Sequence, residues 1–253
     1  MRTTFFLALI TIIASAFWAC KDNGTGPALQ GGSSPYYPLA VGDVWVYNYY
    51  QIDSNGVIDL SSKWTDVKAI IGRDTDGMYL AYAMEELQGI SKRPRNSFIN
   101  TTVLLDLTFD VQGNLIQYLG TSSLNISTSA WTILANLSNH ITGSTVTYEQ
   151  QTPYDLLPYQ TIKDTYFGET LVQVPAGSFN AAYYKDSTQA VYNEYNGKPY
   201  LDFNTDVKQT YYAAGVGMVK LIELTRDSAV TPGKPTAITK GGTYAELVSY
   251  STK

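Results

Sequence analysis

Ile99-Asn100-Thr101-Thr102-Val103-Leu104-Leu105-Asp106-Leu107-Thr108-Phe109 is the stretch that decides the fold. Ile99, Val103, Leu105, Leu107 and Phe109 share one side of an extended chain; Asn100, Thr102, Asp106, Thr108 and Asp110 share the other. A period of two is the pattern of a sheet with one buried and one wet face. It returns between Tyr200 and Tyr212, where Leu201, Phe203, Val207 and Tyr211 are expected to face the core. Asp202, Asn204, Asp206 and Lys208 are expected to face solvent.

Working outward, extended runs fall at 44–52, 62–72, 78–87, 97–109, 115–119, 144–151, 161–174, 179–195, 200–212, 216–226 and 242–251. Asn55-Gly56, Asp76-Gly77, Gly113-Asn114 and Asn196-Gly197 supply hairpin chemistry between runs, because glycine and asparagine tolerate positive φ. Pro175-Ala176-Gly177 predicts another tight turn, and Gly215 and Gly217 a bulge or a close backbone approach. The expected fold is mainly β: a single curved antiparallel sheet, or incomplete barrel, of about ten strands with one short helix. The helix is predicted within Ser127–His140, from the spacing of Trp131, Leu134, Ala135 and Leu137 behind Ser127 and Thr128. Residues 228–242, with Pro232, Gly233, Pro235 and Gly241-Gly242, read as a long exposed loop.

The N-terminus has the grammar of a signal peptide over residues 1–19: Arg2, then an apolar and small run from Phe5 to Ala19. That run is shorter than the roughly 20 residues that span a bilayer. Cys20 is the single cysteine. It follows Phe17-Trp18-Ala19 as in a lipobox, although Phe17 and Trp18 depart from the usual leucine and small residue. The competing reading is plain secretion after Ala14-Ser15-Ala16, which leaves an unpaired thiol in an oxidising compartment. Lipidation at Cys20 is the expectation, with palmitate among the acyl chains. One chain anchors only marginally, and bacterial lipoproteins carry three. Lys21 after the cysteine favours an outer-membrane address over retention at the inner membrane; secretion is the alternative. Residues 20–34 comprise the lipidated cysteine and a flexible tether rich in Gly and Ser, and residues 35–253 a single all-β domain.

A net charge of −5 argues against nucleic acid and against electrostatic binding to anionic lipid. The membrane is therefore an expected partner only through the acyl chains. Oligomeric state has no signature in the sequence. No catalytic, cofactor or metal motif stands out, and an enzyme is not expected. His140 is the lone histidine, expected on the surface at the end of the predicted helix. Glu85 and Glu86 are neighbours in a strand and point to opposite faces. Asp74-Thr75-Asp76-Gly77 places glycine too early for an EF-hand and reads as a turn. Asp202, Asn204 and Asp206 share a strand face and offer oxygens to a hard cation, but a solvated face is the simpler reading. Lys92-Arg93-Pro94-Arg95 marks an exposed basic loop. The 21 tyrosines include the adjacent pairs Tyr36-Tyr37, Tyr49-Tyr50, Tyr183-Tyr184 and Tyr211-Tyr212, which are expected to put one ring on each face.

Tyr37-Pro38-Leu39 with Gly42 and Trp45-Val46-Tyr47, Val174-Pro175-Ala176-Gly177-Ser178-Phe179, and Tyr212-Ala213-Ala214-Gly215-Val216-Gly217-Met218-Val219-Lys220 with Glu246-Leu247 form an ordered set. The set resembles a family of uncharacterised bacterial secreted lipoproteins. The resemblance implies location and fold but no established activity. In architecture it is similar to half-barrel lipoprotein carriers of the LolA and LppX type, which implies a curved sheet around an apolar ligand. The expected role is a non-catalytic binding or carrier module for an apolar or glycan ligand. The alternative is a structural or surface-interaction lipoprotein with no small ligand. Substituting Cys20→Ser should abolish incorporation of labelled palmitate and move the protein from the detergent to the aqueous phase in a Triton X-114 split. Unchanged partitioning would remove the lipid anchor.

Overall fold

The computed structural model describes residues 34–76, 79–88, 101–110, 112–118, 131–150, 160–191, 202–231 and 234–253. They form one antiparallel sheet of twelve strands, with no helix among the described residues. The first six are β1 (Val44–Ile52), β2 (Ile58–Asp76), β3 (Tyr79–Gln88), β4 (Thr101–Phe109), β5 (Leu115–Tyr118) and β6 (Trp131–Ala135). The rest are β7 (Thr145–Gln150), β8 (Gln160–Val174), β9 (Gly177–Val191), β10 (Asp202–Ala213), β11 (Gly217–Thr231) and β12 (Lys234–Ser251). The order is β6-β5-β4-β3-β2-β1-β12-β11-β10-β9-β8-β7. Every neighbour is sequential except β1 and β12. The two ends of the domain thus pair at the centre, and the sheet's edges, β6 and β7, are consecutive in the chain.

That last fact bends the sheet. Strands lie about 4.8 Å apart, so β5 and β8, nine spacings apart in the order, would stand roughly 43 Å from each other if the sheet were flat. Yet Ser138 Oγ donates to Asn114 Oδ1 (2.8 Å) beside the β4–β5 turn, and Gly143 N donates to the Tyr166 carbonyl (2.8 Å) on β8. Five residue steps reach at most about 18 Å. The sheet is therefore an arch, with residues 136–144 as a strap across its mouth. Leu137 of the strap is 1% exposed and joins the core with Trp45, Tyr47, Leu107, Leu115, Tyr166 and Leu247. The segment before β1 closes the same end. Tyr37 packs on Trp45 and Tyr212, with ring centroids 5.5 and 6.2 Å apart, and Gly215 N donates to the Pro35 carbonyl (2.7 Å).

The central seam is latched by Asp43, which is fully buried. Its carboxylate accepts from Ala40 N (2.8 Å) and Lys253 N (3.0 Å), fixing the entry to β1 against the chain's last residue. Trp45 Nε1 donates to the Val216 carbonyl and Tyr47 OH to Met218 (2.9 Å), so buried aromatic polar atoms are satisfied by the backbone of β11 and its turn. Gly217 sits at φ +103°, and a Cβ there would lie 3.3 Å from Trp45 Nε1. The expected bulge and close approach are thus one feature, since the β10–β11 register shifts at Tyr211/Tyr212.

Four expectations are corrected. The helix expected within Ser127–His140 is, where described, strand β6 followed by the strap. The strand stops at Ala135 and the chain turns, so Ala135 and Leu137 are buried on either side of that turn and imitate a helical spacing. With the strand lengths it adds, the count is twelve rather than about ten. The loop expected at 228–242 is largely strand, because β11 runs to Thr231 and β12 starts at Lys234, with Val230 paired to Pro235. The faces of β10 are the reverse of those expected: Tyr212 and Thr210 lie inward and buried, while Tyr211 stacks on the outer face. The Asn55-Gly56, Gly113-Asn114 and Pro175-Ala176-Gly177 turns form as read, with Gly56 and Gly113 at φ +80° and +89°. Asn196-Gly197 and Asp76-Gly77 fall wholly or partly outside the described residues.

Leu137→Ala should cost about 2–5 kcal/mol in urea unfolding, because it empties the point where strap meets core. Leu171→Ala, at a position 69% exposed, should stay within about 0.5 kcal/mol. Equal effects would show that the strap does not hold the arch.

Candidate functional site

Register sets the inner face of the arch in rows. One row runs Tyr166, Tyr184, Thr210, Leu221, Ala245, Tyr49, Trp64 across β8, β9, β10, β11, β12, β1 and β2. All seven are buried. Tyr49 stacks on Trp64 at 5.4 Å and Tyr166 packs against Tyr184 at 5.1 Å. The next row away from the strap, two residues along each strand, is charged: Asp164, Asp186, Lys208 and Glu223. The arch thus has an aromatic floor bordered by a line of three carboxylates and one ammonium.

Asp164 is 1% exposed and lies directly opposite the half-buried Asp186. Burial is the main cause that pushes the Asp164 carboxyl up, to about 9, and the Asp186 charge and hydrogen bond add to it. Lys208 acts in the other direction on both groups. Burial raises Asp186 as well. Both shifts run toward keeping one proton on the pair, between the two hydrogen-bonded carboxyls. Around it, burial raises the hydroxyls of Tyr148 and Tyr184, with the nearby aspartate charges adding to the effect. Two inner-face atoms, Asp164 Oδ1 and Thr210 Oγ1, are buried without a hydrogen-bond partner. Nothing in the sequence announced this pair, because Asp164 and Asp186 are distant in the chain and meet only through the β8–β9 register.

The outer face carries a second arrangement. Phe167, Tyr183 and Tyr211 stack in series, with centroids 5.1 and 4.7 Å apart and the tyrosine rings only 6° from parallel. Lys220 Nζ then lies 5.4 Å from the Tyr211 ring centre and 5.6 Å from Tyr244, and Tyr244 meets Tyr50 at 5.9 Å. Glu246 accepts from both Tyr50 OH and Tyr244 OH (3.2 Å each). This ladder crosses β8, β9, β10, β11, β12 and β1. Its ring faces are used by one another, so it stiffens the sheet and offers ring edges outward.

The sequence candidates distribute as follows. Tyr49-Tyr50, Tyr183-Tyr184 and Tyr211-Tyr212 split between faces as expected, with Tyr49 in the inner floor on Trp64 and Tyr50 against Tyr244 in the outer ladder. His140 is exposed in the strap, with its ring 5.3 Å from Tyr36 and 6.0 Å from Tyr166, and no helix end beside it. Glu86 is buried and pairs with Lys68 at 3.3 Å. Asp202, Asn204 and Asp206 lie in β10, opposite Ala229, Asp227 and Thr225 of β11. Cys20 and Lys92-Arg93-Pro94-Arg95 lie outside the described residues. Among those described, no group of three or more His, Cys, Asp or Glu has the geometry of a metal site.

No protein-family model matches the chain, and no curated protein matches it significantly. Two solved structures are similar in outline. A protein described as exported, with a YmcC-like fold, from Bacteroides fragilis has a TM-score of 0.45 and 11% identity, covering 87% of this chain and all of that one. A protein described as a lipoprotein from Parabacteroides distasonis has a TM-score of 0.42 and 11% identity over the same shares.

The shared proton makes stability depend on pH. An unfolded aspartate titrates near about 3.9, so between roughly pH 4 and 9 the folded pair binds a proton that the unfolded chain has lost. Stability should therefore fall as pH rises through that window, by up to about 1.4 kcal/mol per unit. Urea unfolding at pH 5, 6.5 and 8, with chelator present, should show this slope, and Asp186→Asn should flatten it. A variant with the wild-type slope would refute the shared proton.

Proposed function

We propose that this chain is a lipid-anchored protein of the bacterial outer membrane that binds a ligand without transforming it. The leader and Cys20 support the location. The observation that carries the binding role is the change along the inner face, from the buried ring floor of Tyr49, Trp64, Tyr166 and Tyr184 to the charged row of Asp164, Asp186, Lys208 and Glu223. A face built only to be core would continue apolar. Of the apolar and glycan ligands that the sequence suggests, a hydroxyl-rich one suits this border better: carboxylates accept its O–H groups and Lys208 donates to its ring oxygens. The strap leaves His140 against tyrosine rings, an arrangement in keeping with a non-catalytic role.

A structural role without a small ligand is favoured by a different observation. Trp45, Tyr47 and Leu247 have no exposed surface, so the strapped end of the arch is filled, and the outer ladder presents Phe167 at 48% exposure beside the sheet's β8 side. Native mass spectrometry of the protein purified from its host separates the two. A retained glycan mass, lost in Lys208→Met, is the expected result. A bare protein mass in every preparation would favour the structural role, and a retained lipid would replace the glycan by an apolar ligand.

A further inference from the structure

We propose that the outer edge of β8, from Glu169 to Gln173, pairs antiparallel with the same edge of a second copy of this chain, across a two-fold axis at Leu171. β7 covers β8 only as far as Thr165. The strap takes over at Tyr166, whose N–H donates to the Ser144 carbonyl (3.3 Å) and whose carbonyl accepts from Gly143 N (2.8 Å). Past Tyr166 no strand among the described residues pairs with that edge. Register tells which backbone groups are left there. Tyr166 points its groups away from β9, and the bulge at Tyr166/Gly168 shifts the alternation. Val174 and Gly177 close the two-residue Pro175-Ala176 turn, so Val174, Val172 and Thr170 bond to β9. Glu169, Leu171 and Gln173 therefore aim their N–H and C=O groups outward, and no backbone partner meets them among the described residues.

A bare edge is ordinarily guarded by lysine, proline, a bulge or a covering segment. From Glu169 to Gln173 the run Glu-Thr-Leu-Val-Gln has no lysine, proline or bulge, and at its middle Leu171 is 69% exposed. Its one charge is engaged within the chain: Glu169 accepts from Tyr36 OH (3.1 Å) and from Asn180 Nδ2. The strap selects the register. Tyr166 is already bonded, so an incoming strand must end before it. A copy centred on Leu171 sets Leu171 against Leu171 and Glu169 against Gln173, and its Val174, where its turn begins, falls opposite Gly168. Sliding it to set Glu169 against Leu171 would drive Val174 into the occupied Tyr166. Sliding it the other way leaves Glu169 facing the turn. A Glu169–Glu169 match would oppose like charges. In the Leu171 register each directly opposed pair exchanges two backbone bonds, about six in all. The leucines cover one another, each carboxylate meets an amide, and the two sheets become one through an isologous seam. The seam rests on neither the anchor nor a ligand.

The test is cysteine cross-linking and sedimentation equilibrium of the full chain in density-matched detergent. Directly opposed residues stand about 5.5 Å apart at Cα, within disulfide reach. Leu171→Cys should give a disulfide-linked dimer under mild oxidation, and Leu60→Cys, 74% exposed on β2, should not. Each is made with Cys20→Ser so that no other thiol competes. Glu169→Cys mixed with Gln173→Cys should link more than either does alone, which reads the register. Without any link, the wild-type chain should dimerise with Kd below about 1 mM, in the weak class that a seam this small belongs to. Leu171→Lys and Leu171→Pro should each abolish the dimer. The proline removes a donor that β9 does not use, so β8 keeps its ladder and the variant reads the edge alone. A monomer up to about 1 mM, a dimer that persists in both variants, or equal linking of Leu171→Cys and Leu60→Cys overturns the seam.

Discussion

Five residue steps between Ser138 and Gly143 tie the β4–β5 turn to β8, and the rest of the molecule follows from that short tie. A twelve-stranded meander could lie open as a twisted ribbon. Because its two edge strands are consecutive in the chain and their connection is short, the ribbon must curl until the edges nearly meet. The strap then sits where its own apolar residues, Leu137 above all, can be buried by both flanks at once. Curvature here is imposed by a chain-length constraint and secured by burial.

The arch makes a small interior, and the sequence fills it with rings. Tyr and Trp bring large apolar area with one polar atom each, and the structure finds a backbone partner for several of those atoms: Trp45 to Val216, Tyr47 to Met218, Tyr184 to Asn139. The last of these bonds joins floor to strap. Burial pushes the tyrosine hydroxyls up, Tyr37 to about 12, so the rings stay neutral donors across any ordinary pH. Where the floor ends, the inner face changes to carboxylates and an ammonium at one register height. The boundary is sharp because each strand contributes a residue two positions further along.

Two faces of one sheet therefore carry different kinds of order. Outside, rings stack on rings and Lys220 bridges the series to Tyr244, a self-satisfied ladder that gives stiffness across six strands. Inside, Asp164 Oδ1 in the charged row and Thr210 Oγ1 in the floor row are buried without a hydrogen-bond partner. The proposed binding role rests on this contrast rather than on the outer tyrosines, although those are the more conspicuous feature of the sequence.

Local chemistry in the chain was enough to determine the β class, eleven of the strands in position and the Gly56, Gly113 and Pro175-Ala176-Gly177 turns. Those depend on alternation, on φ preferences and on short motifs, all readable over a few neighbouring residues. Strand β6 was legible only as a helix, since a strand ending at a buried turn leaves the same spacing of apolar residues. The faces of β10 were inverted, because alternation marks two sides without saying which is inward, and here the inward side is polar above the floor. The centre seam of β1 with β12, the strap, and the meeting of Asp164 with Asp186 belong to tertiary structure alone. Each joins residues far apart in the chain, and only the order and register of the sheet bring them to the same place.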